Sequence, residues 1–369
     1  MASNNTEAYT PELQECINNT LKFLHDLREL EATNLGTNIT SNHENALNIA
    51  YETADLIRAQ ATKISLLVLN APLNPSTLVK ALHELTTSLI PSLVYAVNLC
   101  KPSVYSQLFS EEIKYRATRI IVAFKSLIEA IPYKNQSLND QCPEGKIFLA
   151  KTGTIWESCD AIKLLKTDGI SGFFIRMTQD YMDLIKDASE ELQDWAKEEG
   201  FHEIHNSRKE EIPENNAFHV GTDSSAVIPK CISNNNEDGI WQRFQVTQKK
   251  LRLLVIMFQA IIKRRLKTLP SLPNSQSGMN SNDESDRINI VDNLDQLLSY
   301  TKALSNSTDL LASSFYSLDI EKVDQDMEEC FSLGFRIAEI VIKNWEGKSD
   351  SFSAWASFNL LIATNCMTS

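Results

Sequence analysis

Glycine and proline are scarce in this sequence, with eleven of each among 369 residues. The prolines fall mostly between long segments in which apolar residues recur every three or four positions, and no alternating strand pattern persists. The glycine-rich GxxxxGK[ST] and GxGxxG loops that bind phosphates and dinucleotides are absent, as is the GxSxG turn of many hydrolases. These features predict an all-α protein without a nucleotide site.

Long apolar runs are also missing. The most apolar segment, 251–262, has only about twelve residues and includes Arg252 and Gln259, whereas a membrane-spanning helix needs roughly twenty. The first residues, MASNNTEAYTPELQ, have neither the basic part nor the apolar part of an export signal. We therefore expect no membrane span, and a location in the cytoplasm and nucleus.

Cysteine and histidine provide little basis for catalysis or metal binding. The seven cysteines are scattered singly, which predicts reduced thiols. Cys159 has no positioned histidine and is predicted to be a core thiol. His202, His205 and His219 lie in a polar segment without a cysteine at metal-ligand spacing. We predict that the protein is not an enzyme and has no metal or other cofactor.

Positive charge is in deficit, because 48 acidic residues outnumber 35 lysines and arginines and leave a formal charge of -13. Such a balance argues against general nucleic-acid binding, which depends on neutralising phosphates with basic side chains. One basic cluster, at Lys263, Arg264, Arg265 and Lys267, has two interpretations. It is either a nuclear-import patch or a favourable ending for a long helix, whose last turn attracts cations.

Long helices dominate, and a polar segment divides them into predicted domains. Residues 1–200 are predicted to form an N-terminal helical bundle and residues 239–369 a C-terminal one. Residues 201–238, which lose periodicity, are predicted to be a flexible linker. Many of the helices approach thirty residues, or about 40 Å at 1.5 Å per residue. The predicted fold is therefore all-α, with long antiparallel helices in two packed helical bundles.

Local signals refine three of these helices. Asn74 followed by Pro75 predicts a helix start, and Pro91 predicts a kink within the same helix. Two further helices are expected over about 146–166 and 170–199.

The helix over 170–199 carries an apolar stripe beside many carboxylates. The stripe repeats every three or four residues and consists of Phe174, Met177, Tyr181, Ile185, Ala188, Leu192 and Trp195. The acidic residues Asp183, Asp187, Glu190, Glu191 and Asp194 lie mainly off this stripe and are predicted to face water. We interpret the stripe as packing within the bundle. The alternative is a partner-binding seam that includes Met177, Tyr181, Ile185, Leu192 and Trp195.

Two motifs resemble those of a known family. GTIWESCDAIKLL (153–165), which contains Trp156 and Cys159, is followed by the acidic segment MDLIKDASEELQDW (182–195). The segment STDLLASSFYSLD (307–319) supplies Asp309 and Tyr316. These motifs, the helix order and the length resemble the cyclin-D-binding family, the Grap- and cyclin-D-interacting helical proteins. The resemblance covers most of the chain.

The resemblance implies a non-enzymatic protein that binds regulatory partners, either cyclin-like proteins or helix-loop-helix factors, without a basic region that contacts DNA. Regulation of the cell cycle or of transcription through binding of partner helices is the predicted function. The motif residues Trp156, Cys159, Asp309 and Tyr316 are expected to be structural. The alternative is a scaffold or adaptor of the cytoskeleton or membrane surface, because vinculin- and catenin-like proteins are also long-helix bundles.

Overall fold

The computed structural model describes residues 11–30, 46–70, 74–132, 142–198, 236–270, 272 and 281–364. Its regular elements within these ranges are helical, which confirms the all-α prediction. The helices are α1 (Pro11–Leu30), α2 (Ala46–Leu69), α3 (Pro75–Glu84), α4 (Ile90–Leu99), α5 (Pro102–Tyr105), α6 (Gln107–Glu129), α7 (Pro143–Glu198), α8 (Asn236–Arg264), α9 (Ser281–Tyr316), α10 (Ile320–Val341) and α11 (Ser351–Thr364).

The first compact unit contains helices α1 to α6 and the beginning of α7. Helix α1 packs against α3 and α6, and α2 packs against α4. Aromatic rings contribute to the core, since Phe109 stacks on Tyr105 and meets Phe173 edge to face. Full burial of such side chains stabilises the fold by about 1.5–3 kcal/mol each. Fully buried members of this core include Leu13, Leu24, Ile57, Ile64, Phe109, Phe124 and Phe148.

Helix α3 begins where the sequence predicts. The Asn74 side chain accepts a hydrogen bond from the backbone N–H of Thr77 at 3.2 Å, and Pro75 occupies the first turn. At Pro91 the chain forms a π-helical turn, Leu85–Leu89, immediately before α4. Because a proline has no N–H and its ring crowds the carbonyl four residues earlier, a wider preceding turn accommodates it.

The second unit contains the later part of α7, helices α8, α10 and α11, and α9 from residue 292. Helix α8 packs against both α10 and α11. The Phe315 ring lies 6.3 Å from that of Phe244 and 6.2 Å from that of Trp195. Arg243 is buried on α8 and forms two hydrogen bonds, at 2.6 and 2.7 Å, with the Asp324 carboxylate on α10.

The division between the two units falls between Phe173 and Phe174, inside α7. The sequence-based division instead placed all of α7 in residues 1–200. Most of the predicted linker, namely residues 201–235, lies outside the described residues. An apolar stripe shows that a helix is packed but does not show against which neighbours. The sequence therefore had no marker for a boundary within this helix.

Helix α7 is interrupted at Gly169, which has φ +64° and ψ -171°. The break separates two helical parts, as the sequence predicts for 146–166 and 170–199. This region of backbone conformation is accessible essentially only to glycine.

Replacement of Gly169 by alanine is expected to lower the free energy of unfolding by about 1–3 kcal/mol, because a Cβ strains this backbone conformation. Urea denaturation followed by circular dichroism measures the effect. Gly153→Ala is the matched control, since Gly153 is within a helical part of α7 and no atom lies within 4 Å of an added Cβ. The control is expected to be neutral or to stabilise by up to about 1 kcal/mol. Equal effects of the two substitutions would contradict the assigned role of Gly169.

Candidate functional site

The predicted seam on the later part of α7 is largely internal at its centre. Ile185 is 0% exposed and Leu192 is also buried, whereas Met177, Tyr181 and Trp195 are half-buried. The acidic residues lie on the outer side, as predicted: Asp183 is half-buried, and Asp187, Glu190, Glu191 and Asp194 are exposed. The central apolar residues are therefore used for packing within the protein. Partner binding by the seam stays a prediction.

A ladder of contacts joins α2 to the first part of α7 and carries the tryptophan of the first motif. Residue numbers fall along α2 as they rise along α7, so the two helices are antiparallel. The pairs are Ser65 with Thr152 at 2.6 Å, Thr62 with Trp156 at 3.1 Å, Arg58 with Asp160, and Asp55 with Lys163 at 2.7 Å. We call these residues the Trp156 ladder.

Trp156 is held on two sides within this ladder. Its indole N–H donates to the hydroxyl of Thr62, and the Arg58 guanidinium lies 5.3 Å from the centre of its ring. A cation over an aromatic ring contributes about 0.5–1 kcal/mol at an exposed position, and a surface ion pair contributes at most about 1 kcal/mol. The described contacts of the motif tryptophan are therefore with α2, and the neighbours of Trp156 form a polar border along that helix.

Next to this border, α2 presents an exposed apolar stripe. Leu56 and Leu66 are 57% and 54% exposed, whereas the other leucines of this helix are half-buried. An open cleft of about 460 Å³ lies along the end of the helix, lined by Ala59, Thr62, Lys63, Leu66, Leu67, Asn70 and Asn74. Residues 56, 59, 63, 66 and 70 repeat every three or four positions, so they share one helical face. Its apolar members are Leu56, Ala59 and Leu66, and its polar members are Lys63 and Asn70. We call this face the α2 stripe.

Residues of the two motifs meet in the second unit. The Tyr316 ring lies 5.5 Å from that of Trp195. Desolvation and the nearby Glu191 charge both raise the pKa of Tyr316. The pKa of Asp309 is raised for the same two reasons. The sequence did not predict the contact between Trp195 and Tyr316, because no local pattern relates residues of two different helices.

The motif cysteine is an interior residue. Cys159 is fully buried, and desolvation raises the pKa of Cys159 to about 12. Its thiol is therefore protonated at neutral pH and is a poor nucleophile.

The three histidines of the predicted linker, His202, His205 and His219, lie outside the described residues. Within the described part of the chain, no group of three or more potential metal ligands occurs. No described helix has the length and apolarity needed to cross a membrane.

The four residues of the basic cluster differ in their exposure to solvent. Lys263, Arg264 and Lys267 are exposed, but the Arg265 side chain is only 1% exposed. Its guanidinium forms hydrogen bonds of 2.8 and 3.0 Å with the two carboxylate oxygens of Asp350. Arg265 is therefore structural, and an import signal here would depend on the three outer cations. No local sequence feature distinguishes Arg265 from its neighbours.

Comparison with known proteins identifies two similarities. Residues 51–198 match the family model described as Grap2 and cyclin-D-interacting, N-terminal. This region contains most of α2, the Trp156 ladder and all of α7. The chain is also 22% identical over 358 residues to an uncharacterized protein of Schizosaccharomyces pombe, with 95% of this chain and 94% of that protein covered.

Proposed function

Because the chain belongs to the family of Grap2- and cyclin-D-interacting proteins, we propose that it is a non-enzymatic partner of regulatory proteins. A D-type cyclin is the partner we propose first, in agreement with the description of the family. Control of the cell cycle or of transcription, in the cytoplasm and nucleus, is the biological role we propose. The family match does not favour the vinculin- or catenin-like alternative.

The observation that carries the proposal is the α2 stripe within the matched region. Leu56 and Leu66 lie ten residues apart on one face, a distance of about 15 Å at 1.5 Å per residue. Exposed apolar side chains grouped beside a cleft are typical of protein interaction sites. Two anchors at this separation match one face of a partner helix of about three turns. We therefore propose that a helix of the partner packs along α2.

The polar border beside the α2 stripe favours binding of a specific partner helix over nonspecific apolar association. Lys63 lies in the cleft and forms an ion pair of 3.2 Å with Glu84, while Arg58 and Asp160 pair across the Trp156 ladder. A partner helix that covers Leu66 would have polar groups within reach on both sides. In protein interfaces an apolar centre with a polar rim gives orientation as well as affinity.

Replacement of Leu66 by aspartate is expected to weaken binding to a purified D-type cyclin by about tenfold or more, because a charge would enter an apolar contact. Isothermal titration calorimetry with the full chain measures the dissociation constant. The melting temperature is expected to change little, since Leu66 is exposed. Ile256→Asp is the matched control, because it introduces the same charge at an exposed position of α8 in the other unit.

Two results would contradict parts of this proposal. Failure of the wild-type chain to bind the cyclin would reject that partner. Binding that is equally sensitive to Leu66→Asp and Ile256→Asp, or to neither, would reject the α2 stripe as the contact surface.

A further inference from the structure

Helix α2 has a heptad repeat on its exposed side. The α2 stripe continues toward the beginning of the helix through Glu52 and Ile49, with spacings of three and four residues throughout. From residue 49 to residue 66, the repeat spans about 25 Å of helix at 1.5 Å per residue. Ile49 is half-buried, and the other members are exposed. We call these residues the heptad face: Ile49, Glu52, Leu56, Ala59, Lys63 and Leu66.

The heptad face is complementary to its own reverse. The spacings from residue 49 to residue 66 are three, four, three, four and three, so they are the same in both directions. When a second copy of α2 lies antiparallel to the first, each member of the face therefore meets a member of the other copy. A twofold axis repeats every pair. The facing pairs are Ile49 with Leu66, Glu52 with Lys63, and Leu56 with Ala59.

Charge distinguishes this register from its neighbours. Glu52 and Lys63 are the two charged residues of the heptad face, and they occupy mutually facing positions with opposite signs. A shift of one heptad places Lys63 opposite Ala59 in one direction and Glu52 opposite Leu56 in the other. Either shift sets a charge against an apolar side chain, which is unfavourable. The antiparallel register with two pairs between Glu52 and Lys63 is therefore the complementary one.

Both charged side chains are available for such a contact. Glu52 is exposed and forms no ion pair among the described residues. Lys63 pairs with Glu84 at 3.2 Å, and both of these side chains are half-exposed. A surface pair of this kind contributes at most about 1 kcal/mol. The same oxygen of Glu84 also accepts a hydrogen bond from Gln60 at 3.1 Å. Lys63 can therefore change its partner while Glu84 keeps a donor.

Apolar side chains complete the contact at its centre and at its ends. At the centre Leu56 faces the small Ala59, so a large side chain meets a small one across the helix pair. At each end Leu66, which lies beside the cleft of α2, meets Ile49 of the second copy. One helix pair buries less surface than a standard interface does. The association is therefore expected to be weak, with a dissociation constant in the micromolar range.

We propose that two copies of this protein form an antiparallel homodimer through the heptad face of α2. Two symmetric ion pairs between Glu52 and Lys63 fix the register, and the apolar pairs supply most of the affinity. The dimer uses the same helix as the proposed cyclin contact but does not rest on that partner. Where the proposed function holds, Leu66 belongs to both surfaces, so a second copy and the cyclin exclude each other.

Exchange of charge between the two positions tests this arrangement in the full chain without a cyclin. Glu52→Lys leaves two cations on the face, and Lys63→Glu leaves two anions. Each variant alone is expected to have a dissociation constant about tenfold higher than that of the wild type, because like charges face each other. An equimolar mixture of the two variants is expected to dimerise as tightly as the wild type, since opposite charges then face each other. Sedimentation velocity over a range of protein concentrations measures the dissociation constants.

The matched controls are Glu129→Lys on α6 and Lys80→Glu on α3, which make the same changes of charge at exposed positions of the first unit. They are expected to dimerise like the wild type, alone and in mixture. The double variant Glu52→Lys with Lys63→Glu is expected to regain the dissociation constant of the wild type.

Three results would overturn the proposed dimer. The first is a wild-type chain that stays monomeric up to millimolar concentration. The second is a dissociation constant that neither Glu52→Lys nor Lys63→Glu changes. The third is a mixture of these two variants that associates no more tightly than each variant alone. A failure of cyclin binding changes none of these measurements, so the dimer and the cyclin contact can fail separately.

Discussion

Replacement of Ile185 by aspartate is expected to unfold the part of the chain that contains it. The side chain is 0% exposed, so the substitution loses about 1.5–3 kcal/mol of apolar burial and leaves a carboxylate without a partner in the interior. The combined cost is expected to exceed about 4 kcal/mol, which is a large fraction of the total stability of most domains. Circular dichroism during urea denaturation is the measurement.

The neighbouring residue is a matched control for this experiment. Leu184 precedes Ile185 in the same helix and is 50% exposed. Leu184→Asp is therefore expected to change the free energy of unfolding by no more than about 0.5 kcal/mol. The comparison decides between the two interpretations of the apolar stripe. If Ile185→Asp folds with normal stability and loses a partner, the centre of the stripe is a docking surface and its assignment to the core is wrong.

Replacement of Arg265 by alanine is expected to destabilise the second unit by about 3 kcal/mol or more. The guanidinium bonds to Asp350 and also to the backbone carbonyls of Val341 and Ile342, at 2.8 and 3.1 Å, near the end of α10. It lies 4.5 Å from the centre of the Phe352 ring. The substitution removes all these contacts together and leaves the Val341 carbonyl without this donor, whereas the Ile342 carbonyl still accepts a hydrogen bond from the Ser353 hydroxyl. Partial exposure of Asp350 keeps the expected cost at the lower end of the range for buried ion pairs.

The control for this substitution is Arg264→Ala, since Arg264 is exposed in the same basic cluster. It removes the same charge and is expected to change stability by about 0.5 kcal/mol or less. An equal loss in both variants would contradict the structural role of Arg265.

The wild-type protein and Arg265→Ala are also expected to differ in how their stability depends on pH. The Arg265 hydrogen bond lowers the pKa of Asp350 from its usual 3.8. The stabilising contribution of this carboxylate is therefore full above the usual pKa and is lost as pH falls through the lowered one. Arg265→Ala is expected to reduce this acid dependence.

Local signals in the sequence were sufficient for much of the secondary structure. Asn74 caps a helix through a side-chain bond to a residue three positions later, and Gly169 permits a backbone conformation that other residues avoid. Both effects act within a few residues, so they are visible in the sequence. The effect of Pro91 was predicted only in part. A kink and a π-helical turn both accommodate a missing N–H, and the sequence does not choose between them.

The candidate surfaces were less accessible to sequence analysis. The apolar stripe of α7 was visible, but the burial of Ile185 beside the exposure of Leu184 depends on which helices cover each side. Likewise Leu56 and Leu66 look like ordinary apolar positions of α2. Their exposure is evident only when the neighbouring helices are in place.

The sequence by itself determined the helical character of the chain and its resemblance to a known family, because both depend on short-range periodicity, caps and motifs. Tertiary structure alone decided the partners of individual side chains. Arg265 meets Asp350 from 85 positions away, and the Trp195 ring lies beside that of Tyr316 on a different helix. Such pairs form because packing brings distant segments together, and a one-dimensional pattern contains no record of which faces will meet.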